Sequence, residues 1–380
     1  MKKIKIGSDF SGVGAFDYAI KRIAEKNNFK IENVFSCDWD KYARITYAHN
    51  HGEPKYFPKD VYEREIPTES LDIYMTSPPC QSFSLAGKRQ GKNDSKGILF
   101  FNSHEFIKQN KPRYFIFENV KGLLSDDNGN TFSEWVNMLG GKSVNGSPII
   151  FAYENSVPYH LYYQVLNSKK HGVPQNRERI FLVGIRDDED NIFQFPKEEN
   201  LIKRLKDVLE NEVDKKYFLS EKIQNQFVLN NKQGSVIGTE NDSINFSVPS
   251  SETRRGRVGV GVAQTLDTQG NQGVIVNIKQ SNVVGSLSGG KWDKIHESAR
   301  RVYNIETYSP TIHTMQGGNL EPKILNDFKV RKLTPRECFR LQDFPDIFDF
   351  SCVSDSQAYK QAGNSITVRV LEKILDKLKL

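Results

Sequence analysis

The sequence predicts an α/β fold whose large sheet domain is interrupted late in the chain by a smaller, irregular one. Three observations carry this. Short apolar runs alternate with segments of helical period over roughly the first 185 residues. From about Asp187 to Asp327 the chain turns polar, rich in Asn, Gln, Gly and Ser, without long helical periodicity. After Lys332 the helical signals return. The expected organisation is a large α/β domain over 1–186, an irregular domain over 187–328 and a C-terminal segment over 329–380 that returns to the first.

The elements follow in order. KIKIGSDF (Lys3 to Phe10) reads as a short buried strand, and SGVGAF turns it into a helix with Phe16, Ala19, Ile20 and Ile23 on one face. IENVFSCD is a second strand and KYARITYAHN a second helix. SLDIYMTS, PRYFIFEN and ERIFLVGIR are further apolar strands, with SHEFIKQN as a helix before the second of these. Strands that alternate with helices in this way imply a parallel sheet. In the irregular region AQTLDTQGNQGVIV and SPTIHTMQGGNLEPKI are weak copies of one unit, which implies short strands and loops. TPRECFRLQ and SITVRVLEKILDKLKL close the chain as helices.

With 380 residues the chain can bury a sizeable core, and 37% hydrophobic against 26% charged residues excludes a disordered protein. No apolar run approaches the ~18–20 residues of a membrane span, and MKKIKIGSDFSG lacks the apolar core of a signal peptide. A cytoplasmic location is expected, with no membrane partner. Cys37, Cys80, Cys338 and Cys352 are scattered, without the close pairing of a zinc site. They are expected to be reduced, with no metal bound, and one of them is free to act as a nucleophile. The net charge of +6 decides little, but residues 251–301 carry eight Lys or Arg against four Asp or Glu. That asymmetry permits a polyanionic partner.

Four motifs carry chemistry. In DFSGVGAF a strand runs into Gly12-Val13-Gly14 and then a helix, so a ligand can approach the backbone at the helix N-terminus. Asp38, 24 residues after Gly14, stands where an acidic group binds ribose hydroxyls, and Trp39 offers a flat face to a purine. The competing reading makes Trp39 a core anchor and Asp38 a helix cap. Ala15 directly after Gly14 breaks the dinucleotide fingerprint, which disfavours NAD. In SPPCQSFS, Pro78 and Pro79 stiffen the approach to Cys80 at the carboxyl end of a strand, where ligands of open α/β sheets bind. A free thiol titrates near pH 8.5, so Cys80 needs activation before it can attack. FIFENVKGL puts Glu118 at the end of another strand, placed to bond a planar ring edge or deliver a proton to it; in the bland reading Glu118 or Asn119 caps the helix VKGLL. In PQNRERIFLVGI, Arg177 and Arg179 alternate onto one face and suit a carbonyl, carboxylate or phosphate.

In order, DFSGVGAF, CDWDKYA, SPPCQSFS, FENVKGL, PQNRERIFLVGIR, RKLTPRECFRLQDFPD and YKQAGNSITVRVL resemble the DNA (cytosine-5) methyltransferase family of bacterial or phage type. The resemblance spans most of the chain outside residues 190–328. It implies a Rossmann-like, S-adenosylmethionine-dependent methyltransferase sheet, with a target-recognition domain in the irregular region and S-adenosylhomocysteine as a product. On this chain it implies that Phe10, Gly12 and Gly14 line the methionine and ribose, and that Asp38 binds the ribose hydroxyls. Trp39 would stack on adenine, Asp60 and Val61 would border the base, Pro78 would line the same pocket, and Asn364, Ser365 and Val368 would close it. The family usually has Gly-Gly at Gly14-Ala15 and often Glu at Asp38, which puts contact details in doubt but not the cofactor.

The resemblance further implies that the Cys80 thiolate attacks carbon 6 of a flipped cytosine, which makes carbon 5 electron-rich. Glu118 would hold the ring nitrogen and amine edge, and Arg179 with Arg177 the carbonyl at position 2 and a nearby phosphate. The loop Gln81–Phe101 would close over double-stranded DNA, with Gln81, Ser84, Lys88 and Arg89 contacting it. In the recognition region Arg254, Arg255, Arg257, Lys291, Arg300, Arg301 and Thr311 are the DNA-binding candidates. A monomer is expected, serving restriction–modification or phage or host DNA protection, with any cognate restriction endonuclease acting separately. Three alternatives stay open. A tRNA cytosine-5 methyltransferase shares these motifs, but its Cys-Phe-Thr signature is missing here. A non-catalytic DNA-binding module would lose Cys80 or Glu118, and a thiol hydrolase needs a partner histidine that no motif supplies.

Overall fold

Strand β1 (Lys3–Asp9) is buried from Ile4 onward apart from half-buried Lys5, because it is flanked on both sides by parallel neighbours, β2 (Lys30–Cys37) and β3 (Ile73–Thr76). In this computed structural model residues 1–79, 98–203, 205–217, 243–245, 257–259, 272–274, 283–287, 301–305, 309, 323–326 and 329–380 are described. The other strands of the large sheet are β4 (Tyr114–Val120), β5 (Ser143–Val144), β6 (Ser147–Pro148), β7 (Tyr159–Asn167) and β8 (Glu178–Arg186). The sheet runs in the order β2-β1-β3-β4-β8-β7-β5-β6.

The expectation of a parallel sheet holds for β2, β1, β3 and β4, fails at β8 and β7, and holds again where β5 pairs with β7. β8 is antiparallel to β4, with Glu118 opposite Phe181 and Val120 opposite Arg179, and β7 is antiparallel to β8. The apolar run ERIFLVGIR is buried on both faces in either direction, so its hydrophobicity carries no information about its sense.

Helix α1 (Ala15–Asn27) starts after Gly14 at φ 86° and ends on Asn28 in the left-handed region. Helix α2 (Lys41–His51) is capped by Asp40, whose carboxylate accepts from the backbone N–H groups of Tyr42 and Ala43. Helix α3 (Ile98–Asn110) precedes β4, and α4 (Asn130–Leu139) follows it, packing Trp135 flat on Phe100 at 4.1 Å. The expected helix at VKGLL is instead a 3-10 turn over Lys121–Gly129. Helix α5 (Pro335–Arg340) opens with a capping box between Thr334 and Glu337 and a proline at its start. After it come α6 (Asp355–Asn364) and α7 (Val368–Leu375), whose Val368, Val370, Leu371, Ile374 and Leu375 are buried.

The chain divides into two compact units, one of residues 1–173, 177–200 and 342–380, the other of 174–176 and 201–341. The sequence places the corresponding boundaries at 186/187 and 328/329. Residues 187–200 stay with the first unit because charges and polar groups hold them there. Glu189 takes a bidentate bond from Arg113 (2.7 and 3.0 Å), Asn191 accepts from Tyr162 (2.7 Å), and Glu199 pairs with Lys373 (2.6 Å). From residue 342 onward the C-terminal segment belongs to this unit as well, while 329–341 belong to the other. Arg22 of α1 bonds Asp343 (2.5 Å) and Glu372 (3.0 Å), and α1 packs on α7.

In the second unit β9 (Ser243–Asn245), β10 (Arg257–Gly259) and β11 (Gln272–Val274) form one antiparallel sheet in the order β10-β9-β11. β12 (Val283–Ser286), β13 (Arg301–Asn304), β14 (Lys323–Asn326) and β15 (Lys329–Lys332) form another in sequence order. Among the described residues no helix is long and apolar enough to cross a membrane.

Candidate active site

The carboxyl ends of β1, β2, β3 and β4 lie along one edge of the large sheet, since these strands are mutually parallel and in register. Beyond β1 the backbone turns sharply. Phe10 has φ 57° and Gly12 φ 56°, and a bulky residue in that region is uncommon and strained. The turn is held by Asp38, just beyond β2. One carboxylate oxygen accepts from Gly12 N–H at 2.7 Å and the other from Asp40 N–H at 2.8 Å. Burial raises the Asp38 carboxyl above the usual range, and those two N–H groups oppose the rise. Space is open where a side chain on Gly12 would stand, whereas a Cβ on Gly14 would run into the His51 ring.

Trp39 is 78% exposed, which removes its core-anchor reading and leaves a bare indole face beside Asp38. Val61 is buried and its carbonyl accepts from Asn102, while Asp60 caps the turn after it through Tyr62 N–H (3.0 Å). These positions fit an adenosine-bearing ligand: an open glycine cradle, a half-buried carboxylate and an exposed aromatic face converge on adjacent strand ends.

At the end of β4, Glu118 is 7% exposed and its Oε1 lies 3.0 Å from Nε of Arg179. The register explains the pair. Arg179 stands opposite Val120, and Glu118 is two residues back on the same face, within diagonal reach. Burial raises the Glu118 carboxyl, opposed first by Arg179 and then by Arg177. Neither Glu118 nor Asn119 caps the following turn, whose first residue has no side-chain cap. Asn119 instead donates through Nδ2 to the carbonyl of Pro78 at 3.0 Å and accepts from Val120 N–H. It therefore ties the chain two residues before Cys80 to the strand that bears Glu118. The sequence offered only one signal for this role, the Asn beside the Glu in FENV.

Arg177 differs from the expectation that it would stand beside Arg179 facing a ligand. It is 2% exposed, and Nη2 donates to the carbonyls of Gly363 (3.1 Å) and Ser365 (2.8 Å). Burial and the like charge of Arg179 depress its pKa. A buried guanidinium with backbone carbonyls on its fork is a clamp on the C-terminal motif. The same motif is held by Thr367, whose Oγ1 lies 2.9 Å from Ser168 Oγ and donates to Gln342 Oε1 at 2.9 Å. Asn364 is exposed and Ser365 buried, while Val368 is wholly buried and anchors α7 in the core.

Cys80, Gln81, Ser84, Lys88, Arg89, Arg254, Arg255, Lys291, Arg300 and Thr311 lie outside the described residues. The backbone places Arg257 opposite Asn245 in β10 and Arg301 opposite Ser286 in β13.

A family model described as C-5 cytosine-specific DNA methylase matches residues 4–380. The chain belongs to this family. As a member it is a methyltransferase with DNA as the family's substrate. The methylase is 32% identical to an orphan methyltransferase, M.SPRI, of Bacillus phage SPR, across 100% of this chain and 98% of that one. It is also 32% identical to the type II methyltransferase M.HhaI of Haemophilus parahaemolyticus, across 96% and 91% of the two chains. Among solved structures, S. pombe Dnmt2 methyltransferase superposes with a TM-score of 0.60 at 16% identity, covering 98% and 97%, a likeness of fold alone.

Proposed function

We propose that the methylase transfers a methyl group from S-adenosylmethionine to carbon 5 of a cytosine flipped out of duplex DNA, through a covalent bond to Cys80. The observation that carries this reading is the buried Glu118–Arg179 pair at a strand end, one residue from the Asn119 bond to Pro78. A buried carboxyl beside a guanidinium offers hydrogen bonds that suit a planar polar ring, next to the stretch that leads into Cys80.

Phe10, Gly12, Gly14, Asp38, Trp39, Asp60, Val61, Pro78, Asn364 and Ser365 hold the cofactor, with Val368 supporting them from the core. Bound there, the sulfonium supplies an electrophilic methyl group. The Cys80 thiolate forms a bond to carbon 6, and the electrons of the carbon 5–carbon 6 double bond become available at carbon 5. Glu118, whose pKa burial raises while Arg179 opposes the rise, hydrogen-bonds ring nitrogen 3 and the exocyclic amine. Arg179 meets the carbonyl at position 2 while orienting Glu118. Carbon 5 would take the methyl group as the sulfur–methyl bond breaks, its electron pair staying on S-adenosylhomocysteine. Solvent water would then take the carbon 5 proton, the C–H electrons would re-form the double bond, and the carbon 6–sulfur bond would break to release the Cys80 thiolate. Arg177 acts behind them by fixing Gly363 and Ser365. Base extrusion costs roughly a few kcal/mol, offset by contacts from the loop after Cys80 and the recognition region.

The names of relatives, an orphan methyltransferase of a phage and type II methyltransferases of bacteria, support a role in DNA protection or restriction–modification. The proposal adds a monomer, with any endonuclease acting separately. The decisive experiment is trapping. Duplex DNA carrying 5-fluorocytosine, incubated with S-adenosylmethionine, is expected to yield a covalent complex that peptide mapping places on Cys80. Complete conversion without an adduct, or an adduct elsewhere, overturns the mechanism. A parallel arm with tRNA is expected to give no transfer.

A further inference from the structure

The mechanism leaves one buried charged group unused. Arg64 is 6% exposed and lies on the loop after Val61, with its guanidinium carbon 4.4 Å from the centre of the Phe106 ring. Its Nε donates to Asp9 Oδ1 at 2.9 Å and its Nη2 to Asn102 Oδ1 at 2.9 Å. Asp9 is the last residue of β1, directly before strained Phe10, and its other oxygen accepts from Tyr74 at 2.6 Å. Asn102 passes the connection on, since its Nδ2 donates to the carbonyl of Val61 at 2.9 Å. Among the described residues Nη1 of Arg64 is buried without a hydrogen-bond partner.

Stability alone gives no reason for this arrangement. A buried ion pair often contributes nothing beyond an apolar replacement of the same volume, and an orphaned donor costs about 1–3 kcal/mol. The geometry does explain it. One rigid guanidinium fork reaches the two walls between which an adenosine would sit, the Phe10 wall through Asp9 and the Val61 wall through Asn102. A lysine ammonium at this position lacks the planar fork that makes the two arms simultaneous.

We propose that Arg64 and Asn102 are positioning residues of the cofactor pocket, setting the separation of the Phe10 and Val61 walls. This rests on the reading that the pocket takes S-adenosylmethionine. Asn102→Asp keeps an acceptor for Arg64 but loses the N–H that holds Val61, and half-buried Asn102 tolerates the charge beside a guanidinium. Titration calorimetry of the full chain with S-adenosylhomocysteine is expected to show a Kd raised about three- to ten-fold, the worth of one hydrogen bond. The melting temperature without ligand should stay within a few degrees of wild type. Arg64→Lys is expected to weaken binding further, with KM for the methyl donor rising by more than kcat falls. Asn102→Ala, which adds no charge, should act in the same direction. Folded Asn102→Asp and Asn102→Ala proteins with wild-type Kd overturn the proposal. A wild-type chain that gives no heat with S-adenosylhomocysteine overturns the pocket reading itself.

Discussion

In the parallel half of the large sheet, the residues assigned to the cofactor stand beyond the strand ends: Phe10 after β1, Asp38 and Trp39 after β2, Pro78 after β3. In the antiparallel half Glu118 and Arg179 sit inside β4 and β8, where backbone register alone brings them together. The two constructions differ in what secures them. A strand-borne pair inherits its geometry from a ladder of main-chain hydrogen bonds and survives changes of side chain. Loop-borne groups have no ladder and depend on individual contacts such as Asp38 to Gly12, Asn119 to Pro78 and Arg64 to Asp9. Mutations in the strand-borne pair should therefore cost chemistry without cost to the fold, and mutations that strain the loop backbone itself should cost binding and fold together.

The sharpest test is Glu118→Gln. The carboxamide is isosteric and the ladder is untouched, so stability should hold while single-turnover methylation falls about 10²–10³-fold. A rate within a few fold of wild type would sink the catalytic assignment of the pair. Arg177→Met probes the exception, a residue next to the ladder that serves a loop. Leaving the Gly363 and Ser365 carbonyls without their donor should lower the unfolding free energy by about 2–4 kcal/mol, read from the urea midpoint. An unchanged midpoint would return Arg177 to a ligand-facing role.

Gly14→Ala tests the loop-borne half. At φ 86° a side chain is strained by about 1–2 kcal/mol, and here it also meets the His51 ring. Loss of stability and weaker S-adenosylhomocysteine binding are both expected by melting and calorimetry, and a change in only one would break the comparison. The smallest effect concerns pH. His171 is buried, and burial followed by the charge of Lys373 depresses its pKa from 6.5 to about 4. The fold holds the neutral ring while the unfolded chain takes up a proton from about pH 6.5 downward. That contribution is therefore complete above about pH 6.5 and is lost as the pH falls towards about 4. The melting temperature of wild type should fall more steeply over that window than that of His171→Gln, and parallel curves would exclude His171 as the cause.

Much of the candidate site was legible in sequence because its signals are local. Gly12 and Gly14 announce a turn, Asp38 and Trp39 follow a strand, and Glu118 lies two residues from the end of one. Trp39 shows where legibility stopped: stacking face and core anchor are the same residue in sequence, and only its 78% exposure separates them. Arg177 shows the same limit in reverse, since alternation with Arg179 promised a shared ligand and burial gave it the C-terminal carbonyls. Arg64 carried no signal, being one basic residue in VYEREIP whose partners are 55 and 38 positions away.

By itself the sequence determined the alternation of strands and helices, the family, and the chemical types gathered at the strand ends. Hydrophobic period and turn chemistry act between neighbours, so a linear reading captures them. The tertiary structure decided the reversed sense of β7 and β8, the pairing of Glu118 with Arg179, and the use of Arg64, Asn102, Asn119 and Arg177 as clamps. Each of those depends on which distant backbone groups lie within about 3 Å once water is excluded, and hydrogen bonding of buried polar groups is settled only there.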